Sequence, residues 1–173
     1  MSTALMNPPK RNHQARTREQ IVSVVILYGT ETGNGELVAD AIADVLAAEH
    51  DPSIYDMSEF AVEDLDPDDF LVVVCSTYGE GELPTGAEPF AEEITETTPD
   101  LSGVRFGVFG LGDTIYGETF NRGGELMAEL LTRHGATQVG EHFRHDNSSA
   151  IKPAKAAAEW AHGIANVIER VDA

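Results

Sequence analysis

Short apolar runs alternate along the chain with segments of helical periodicity, and this alternation is the feature that most limits the fold. The runs at residues 21–27 and 70–75 are almost entirely apolar, three other short runs are further strand candidates, and four segments repeat apolar residues at helical spacing. Strands that are apolar throughout are covered on both faces, which is typical of parallel sheets between layers of helices. We therefore predict an α/β fold with three layers and a doubly wound, five-stranded parallel sheet.

The predicted elements alternate in a way that right-handed crossovers can connect. The strands are expected at residues 21–27, 53–57, 70–75, 105–109 and 137–145. The helices are expected near residues 37–46, 88–95, 126–131 and 157–171. A strand order of 2-1-3-4-5 satisfies this alternation, and it predicts a ligand site at the carboxyl ends of strands 1 and 3.

The first 20 residues differ from the rest because they are polar, contain Pro8 and Pro9 and show no hydrophobic period. We interpret them as a flexible leader or a remnant of cloning, and we predict one domain over residues 21–173. Cys75 is the only cysteine, so no intrachain disulfide can form, and we expect a reducing, cytoplasmic compartment. No apolar run approaches the ~18 residues of a membrane span.

The charge of the chain is strongly negative, with 30 acidic and 11 basic residues and a formal net charge of -19. Between Ile21 and Val104 there is no lysine or arginine, whereas 20 residues are acidic. Such a surface repels nucleic acid and anionic lipid, so we expect neither as a partner, and it attracts a basic protein face. Solubility or adaptation to salt explains the same composition, and the two interpretations are compatible.

A glycine-rich loop at residues 28–36 follows the first strand and opens the first helix. Glycines let backbone amides point inward, and a helix N-terminus adds partial positive charge, so together they favour an anion. Thr30, Thr32 and Asn34 add side-chain donors, but Asn34 stands where a nucleoside-triphosphate loop has lysine after its glycine. We predict a site for one phosphate monoester, with an ordinary turn as the alternative.

Two further loops, at residues 76–84 and 110–121, follow the third and fourth strands. Each presents one aromatic side chain among glycines, Tyr78 in the first and Tyr116 in the second. Two rings beside a phosphate site can hold a flat heterocycle between them, since offset stacking contributes about 0.5–1.5 kcal/mol per ring. For either tyrosine alone, a packing role is the simpler interpretation.

Other classes of protein with this alternation require residues that the chain lacks. A response-regulator receiver needs a phosphoacceptor aspartate after strand 3, where Cys75 and Ser76 stand, and a serine hydrolase needs Gly-x-Ser-x-Gly. Among six histidines only His142 and His145 are closely spaced, and we expect both to be surface residues rather than metal ligands. Cys75 ends an apolar strand, so we expect a buried thiol. We predict no catalytic residue and no metal site.

The three loops resemble those of the flavodoxin family, in particular the short-chain, MioC-type flavodoxins, and are similar to the FMN domains of diflavin reductases. The motifs are TETGNG at residues 30–35, STYGEGELP at 76–84, and GLGDTIY at 110–116 followed by FN at 120–121. The likeness extends from about Val22 to Val171. It implies a flavodoxin-like fold, FMN as the cofactor and an electron carrier rather than an enzyme.

The resemblance also implies which residues bind FMN. The phosphate would be bound by Thr30, Glu31, Thr32, Gly33, Asn34 and Gly35. The flavin would be bound by Ser76, Thr77, Tyr78, Gly79, Glu80, Gly81, Leu111, Gly112, Asp113, Tyr116, Phe120 and Asn121, with the two tyrosines flanking the ring and Gly79 turning its carbonyl toward flavin N5. Two positions depart from many relatives: residue 34 is asparagine in place of threonine, and residue 78 is tyrosine in place of tryptophan.

The partners that the resemblance implies are an NAD(P)H-dependent flavodoxin reductase and a redox acceptor protein, both with basic docking faces, and we expect the chain itself to be a monomer. An FMN-dependent quinone or nitro reductase on the same fold is the first alternative. A module that has lost FMN is the second, and Thr30, Thr32, Tyr78 and Tyr116 argue against it.

Overall fold

The computed structural model describes residues 22–30 and 34–172, with the backbone alone for the last four of these. The predicted leader, Ile21 of the first strand, and Glu31, Thr32 and Gly33 of the phosphate motif lie outside the described residues. The strands are β1 Ser23–Gly29, β2 Asp51–Asp56, β3 Phe70–Cys75, β4 Arg105–Gly112, β5 Thr137–Gln138 and β6 Phe143–Asp146. The helices are α1 Asn34–Leu46, α2 Glu88–Thr97, α3 Arg122–Arg133 and α4 Pro153–Asp172.

The strands form one parallel sheet in the order β2-β1-β3-β4, with β5 and β6 both paired to the free side of β4. Since β5 and β6 together occupy one position, the sheet has the predicted order 2-1-3-4-5, and the predicted fold is confirmed. Helices cover both faces of the sheet. In the described part of the chain no helix combines the length and apolarity that crossing a bilayer requires.

The last strand differs from the prediction of one continuous strand over residues 137–145. Arg105 of β4 pairs with Thr137, but Phe109, four residues later, pairs with Phe143, six residues later. The edge strand therefore carries two extra residues, which cannot lie flat against β4, and the ladder is interrupted between β5 and β6. Gly140 in this interruption has a φ of +77°, a conformation that glycine adopts without strain.

The core is divided by the sheet into two apolar layers. In β3 the side chains alternate between them: Leu71, Val73 and Cys75 face α2 and α3, whereas Phe70, Val72 and Val74 face α1 and α4. All six are fully buried. Burying a side chain of this size contributes about 1.5–3 kcal/mol, so the central strands are held firmly at the point where the loops begin.

The thiol of Cys75 is completely buried, as predicted. Burial raises its pKa to about 12, so the thiol is protonated at neutral pH. A protonated, inaccessible thiol is a packing group rather than a nucleophile.

Candidate functional site

Three loops leave the sheet from neighbouring positions at its carboxyl edge. In the register of the sheet, Gly29 at the end of β1 lies beside Cys75 at the end of β3, and Cys75 lies beside Gly110 of β4. The backbone N–H of Ser76 donates to the Gly29 carbonyl at 3.0 Å, which ties the first two loops together where they begin. The loops that begin at Thr30, at Ser76 and at Asp113 therefore surround one area.

Thr30 is closely packed by glycines on two sides. A Cβ added to Gly86, which lies in the short 3₁₀ helix Thr85–Ala87, would stand 2.8 Å from the Thr30 carbonyl oxygen. A Cβ added to Gly35 would overlap the Thr30 side chain. Asn34 and Gly35 open α1, so the amino end of a 13-residue helix, with its partial positive charge, adjoins Thr30.

The loop after β3 is a tight turn that displays Tyr78. The backbone N–H groups of Tyr78 and Glu82 each donate to the other residue's carbonyl at 2.8 Å. Gly79 and Gly81 have φ values of +55° and +105°, which residues other than glycine rarely adopt. The turn is therefore tight and hydrogen-bonded, while the Tyr78 side chain is 49% exposed.

The loop after β4 displays Tyr116. Its 3₁₀ segment, Thr114–Thr119, contains no buried residue, and the Tyr116 side chain is 60% exposed. At the start of the segment the Asp113 carboxylate accepts a hydrogen bond from the Ile115 N–H at 3.0 Å. Further from the segment on each side, Leu111 is part of the core and Asn121 is completely enclosed.

Five large apolar side chains of the described residues are strongly exposed, and they do not scatter over the surface. They are Leu37, Tyr78, Ile115, Tyr116 and Ile151. Leu37 lies in the first turn of α1, three others lie in the two tyrosine loops, and Ile151 precedes α4. All five thus belong to segments that follow the carboxyl ends of strands. Exposed apolar surface gathered at one end of a domain is typical of a binding surface.

The tyrosine loops are packed on each other and on the start of α3. The Gly123 N–H donates to Thr77 Oγ1 at 3.0 Å, and a Cβ on Gly123 would overlap the Ser76 carbonyl. A Cβ on Gly81 would stand 3.1 Å from the Thr119 Cβ. Gly86 and Gly123 were not predicted from the sequence, because their importance comes from partners in other loops.

The prediction of two surface histidines is wrong for His145, which is only 3% exposed, and His142 is partly buried. The His142 ring lies between Gly110 and Gly124, where an added Cβ would collide with it in either case. Burial, together with nearby Arg144, lowers the pKa of His142 to about 4, so the ring is neutral at pH 7. Local sequence pattern does not show this packing, since both glycines come from other elements.

The arginines close to these loops are paired with carboxylates. Arg122 contacts Glu125 at 3.1 Å and Glu129 at 2.8 Å, and Arg144 contacts Glu125 at 2.6 Å. These partly exposed pairs contribute little to stability. They do, however, engage both cations, so the charge around the tyrosine loops stays predominantly negative.

The site therefore combines a helix N-terminus, suited to a phosphate, with two accessible phenol rings on neighbouring loops, suited to stacking on a flat ring. Gly35 and Gly86 allow their segments to approach Thr30 closely on two sides. The flavodoxin family model matches residues 26–160. The chain belongs to the flavodoxin family. Membership of this family places the chain among the flavoproteins of electron transport.

Comparison with known proteins finds the same relatives that the motifs of this chain resemble. Protein MioC of Escherichia coli K12 is 30% identical over 149 residues, which are 86% of this chain and 100% of MioC. Human NADPH–cytochrome P450 reductase is 35% identical over 126 residues, which are 69% of this chain but 18% of the reductase. A flavodoxin from Pseudomonas aeruginosa, solved as a cysteine-to-alanine mutant, superposes with a TM-score of 0.76 at 32% identity, covering 86% of this chain and 99% of that one. The predicted likeness to MioC-type and diflavin-reductase domains is confirmed.

Proposed function

We propose that this flavodoxin binds FMN without a covalent bond and carries electrons between other proteins. The observation that carries the proposal is the meeting of α1, which begins beside Thr30, with two loops that expose Tyr78 and Tyr116. Bound FMN supplies the redox chemistry. The protein residues bind it, orient it and set the charge around it.

The phosphate end of the proposed site lies at the start of α1. Thr30, Asn34 and Gly35 are close together there, and Glu31, Thr32 and Gly33 join them by sequence. No lysine or arginine occurs between Ile21 and Val104, so the donors are backbone amides and hydroxyl or amide side chains. Such donors suit a single phosphate monoester, which is the terminal group of FMN, better than a triphosphate with its metal ion.

The ring end lies between the two tyrosine loops. Tyr78 and Tyr116 would flank the isoalloxazine, and backbone groups of both loops would meet its polar edges. The remaining proposed contacts are Ser76, Thr77, Gly79, Glu80, Gly81, Leu111, Gly112, Asp113, Phe120 and Asn121. Since Leu111 and Asn121 are buried, they would take part through the backbone or by shaping the loop.

Titration of the apoprotein with FMN tests the proposal directly. We expect quenching of flavin fluorescence with a 1:1 endpoint, and weaker binding of riboflavin, which lacks the phosphate. FAD, which lacks a terminal monoester, should also bind less well. Equal affinity for FMN and riboflavin would contradict a phosphate site at the start of α1. If neither bound, the proposed function would be wrong.

We propose an NAD(P)H-dependent reductase as electron donor and a second redox protein as acceptor, each with a basic docking face. Glu80 and Glu82 in one tyrosine loop and Asp113 and Glu118 in the other place negative charge around the proposed ring. Opposite charges steer association and raise its rate by about 10–1000-fold, an effect that salt weakens. Electron transfer from a reductase should therefore slow as ionic strength rises, and a flat profile would contradict basic docking faces.

A monomeric, cytoplasmic electron carrier without a substrate of its own completes the proposal. The alternative of an NAD(P)H-dependent quinone or nitro reductase differs in one measurable way. A carrier should show no turnover of NADPH with quinone unless a reductase is added, whereas such an enzyme turns over alone. Size-exclusion chromatography and cell fractionation test the oligomeric state and the location.

A further inference from the structure

The carboxylate of Asp146, the last residue of β6, gathers four hydrogen bonds from two loops. Its Oδ1 accepts from the Ser148 N–H at 2.9 Å, from Ser148 Oγ at 2.7 Å and from the Thr114 N–H at 3.2 Å. Its Oδ2 accepts from Thr114 Oγ1 at 2.8 Å. Thr114 lies 32 residues earlier and opens the Tyr116 segment, so this carboxylate connects β6 to the loop that displays Tyr116.

Neighbours of Asp146 make two further connections to the same loop. The Asn147 N–H donates to the Gly112 carbonyl at 2.7 Å, just before the loop begins. At the far end, Asn121 Nδ2 donates to the His145 carbonyl at 3.2 Å. We call residues 145–148 the β6 strap. The strap contacts the chain just before the Tyr116 loop, residues 114–119, at the first residue of this loop and just after its end.

Apart from the contact of Thr119 with Gly81, the Tyr116 loop has few other interactions with the described residues. None of the six residues of Thr114–Thr119 is buried, and Ile115 and Tyr116 are 80% and 60% exposed. Within the loop the Tyr116 N–H donates to the Asp113 carbonyl at 3.1 Å, and Thr119 Oγ1 donates to the Tyr116 carbonyl at 3.1 Å. A segment without buried apolar surface opens locally at low cost, so its position depends on hydrogen bonds at its ends.

We infer that Asp146 is a positioning residue of the flavin site, and that the β6 strap sets where Tyr116 stands. The inference rests on the proposed function, in which Tyr116 stacks on the ring of FMN. Asp146 acts through Thr114 and touches no cofactor itself. Hydrogen bonds from Ser148, and then from Thr114, lower the pKa of Asp146 to about 2, so it accepts these bonds as a carboxylate at neutral pH.

Asp146→Ala, compared with Asp100→Ala, is the first test. Asp100 makes the same kind of Asp-x-Ser turn, with its Oδ1 accepting from the Ser102 N–H at 3.0 Å, but it lies before β4 at the opposite edge of the sheet. Losing both Thr114 bonds should weaken FMN binding by about tenfold, which corresponds to ~1.4 kcal/mol. Asp100→Ala should leave the dissociation constant of FMN within about twofold. Equal effects of the two variants would overturn the inference.

Three further variants separate positioning from general loss of stability. Asp146→Asn keeps Oδ1 as an acceptor and should recover much of the affinity, and Thr114→Val should lose about three- to fivefold. Asp146→Ala in a Tyr116→Ala background should change the dissociation constant by less than about twofold, because the residue through which it acts is gone. An undiminished tenfold effect in that background would show that Asp146 acts elsewhere.

Hydrogen exchange in the apoprotein tests the strap without any cofactor. Asp146→Ala should speed exchange of the Ile115 and Tyr116 amides, while Asp100→Ala should leave their rates unchanged. Unchanged exchange in Asp146→Ala would overturn the inference even where FMN binds. Failure of the wild-type protein to bind FMN, with faster exchange in Asp146→Ala, would instead overturn the proposed function and leave the strap supported.

Discussion

The two ends of the proposed site are held by different forces. Around Thr30 the packing is so close that a methyl group at Gly86 would meet the Thr30 backbone and one at Gly35 would meet the Thr30 side chain. The Tyr116 loop has open space around Gly117 and no buried side chain, and hydrogen bonds to the β6 strap hold it. We expect added side-chain volume to destabilise the Thr30 end. We expect the Tyr116 loop to lose its position when a hydrogen-bond acceptor is removed or when a residue cannot adopt the required backbone conformation.

Gly86→Ala should have the largest effect on stability, because its Cβ would stand 2.8 Å from a backbone oxygen that cannot move aside cheaply. We expect the free energy of unfolding to fall by about 1–3 kcal/mol, measured by urea denaturation of the apoprotein. Gly163→Ala on α4, where nothing lies within 4 Å, is the control and should gain about 0.5–1 kcal/mol. A Gly86→Ala variant as stable as this control would contradict the claim that close packing holds the Thr30 end.

Tyr116→Ala should weaken FMN binding by roughly tenfold, because loss of stacking and ring burial costs about 1–2 kcal/mol. Stability of the apoprotein should hardly change, since the side chain is 60% exposed. Tyr116→Phe keeps the ring and should bind FMN almost as the wild type does. Ile115→Ala, at the adjacent and more exposed position, should leave affinity within about twofold. A large effect at Ile115 would point to general disturbance of the loop.

Gly117→Ala introduces strain without a clash, and so sharpens the comparison with Gly86. Gly117 has φ 60° and ψ -117°, and an added Cβ would meet nothing within 4 Å. We expect a loss of about 1 kcal/mol in stability and a several-fold weaker affinity for FMN as the loop relaxes. Gly140→Ala, also strained and also open, lies away from Tyr116 and should leave affinity unchanged. Reduced affinity in both variants would contradict a local effect.

His142→Gln should have the smallest effect, on the pH dependence of stability. The pKa of His142 falls from its ordinary 6.5 to about 4 in the folded protein. Between these values the unfolded state binds a proton that the folded state does not, so the free energy of unfolding decreases as pH falls. Allowing for partial exposure, this contribution is about 1 kcal/mol. The variant should flatten the stability profile over this range relative to His162→Gln, an exposed control. Parallel profiles would exclude a lowered pKa of His142 in the folded protein.

Much of the fold follows from local pattern. The apolar run of β3 predicts a strand covered on both faces, and it is buried throughout. The glycine-rich loops follow the strands at the predicted places, and Tyr78 and Tyr116 are accessible, as a stacking role requires. Gly79 and Gly81 adopt positive φ, consistent with the tight turn that their loop suggested.

The interruption of the last strand and the burial of the two histidines could not be predicted without knowing which residues of other elements lie beside them. The sequence of residues 137–145 predicts one continuous strand. Pairing with β4, however, leaves two residues of this segment without a partner position in the ladder. His142 and His145 look like surface residues in sequence, yet Gly110 and Gly124, brought from two other elements, make a place for the His142 ring. Neither result is encoded within a window of a few residues.

By itself the sequence determined the layered α/β architecture, the strand order and the carboxyl-edge loops, because periodicity and glycine placement act over short distances along the chain. Only the tertiary structure decided how those loops are held: Gly86 against Thr30, Thr77 against Gly123, and Asp146 against Thr114. These contacts join residues 32 to 56 positions apart. Such contacts depend on the geometry of the completed sheet, which brings distant strand ends within hydrogen-bond reach.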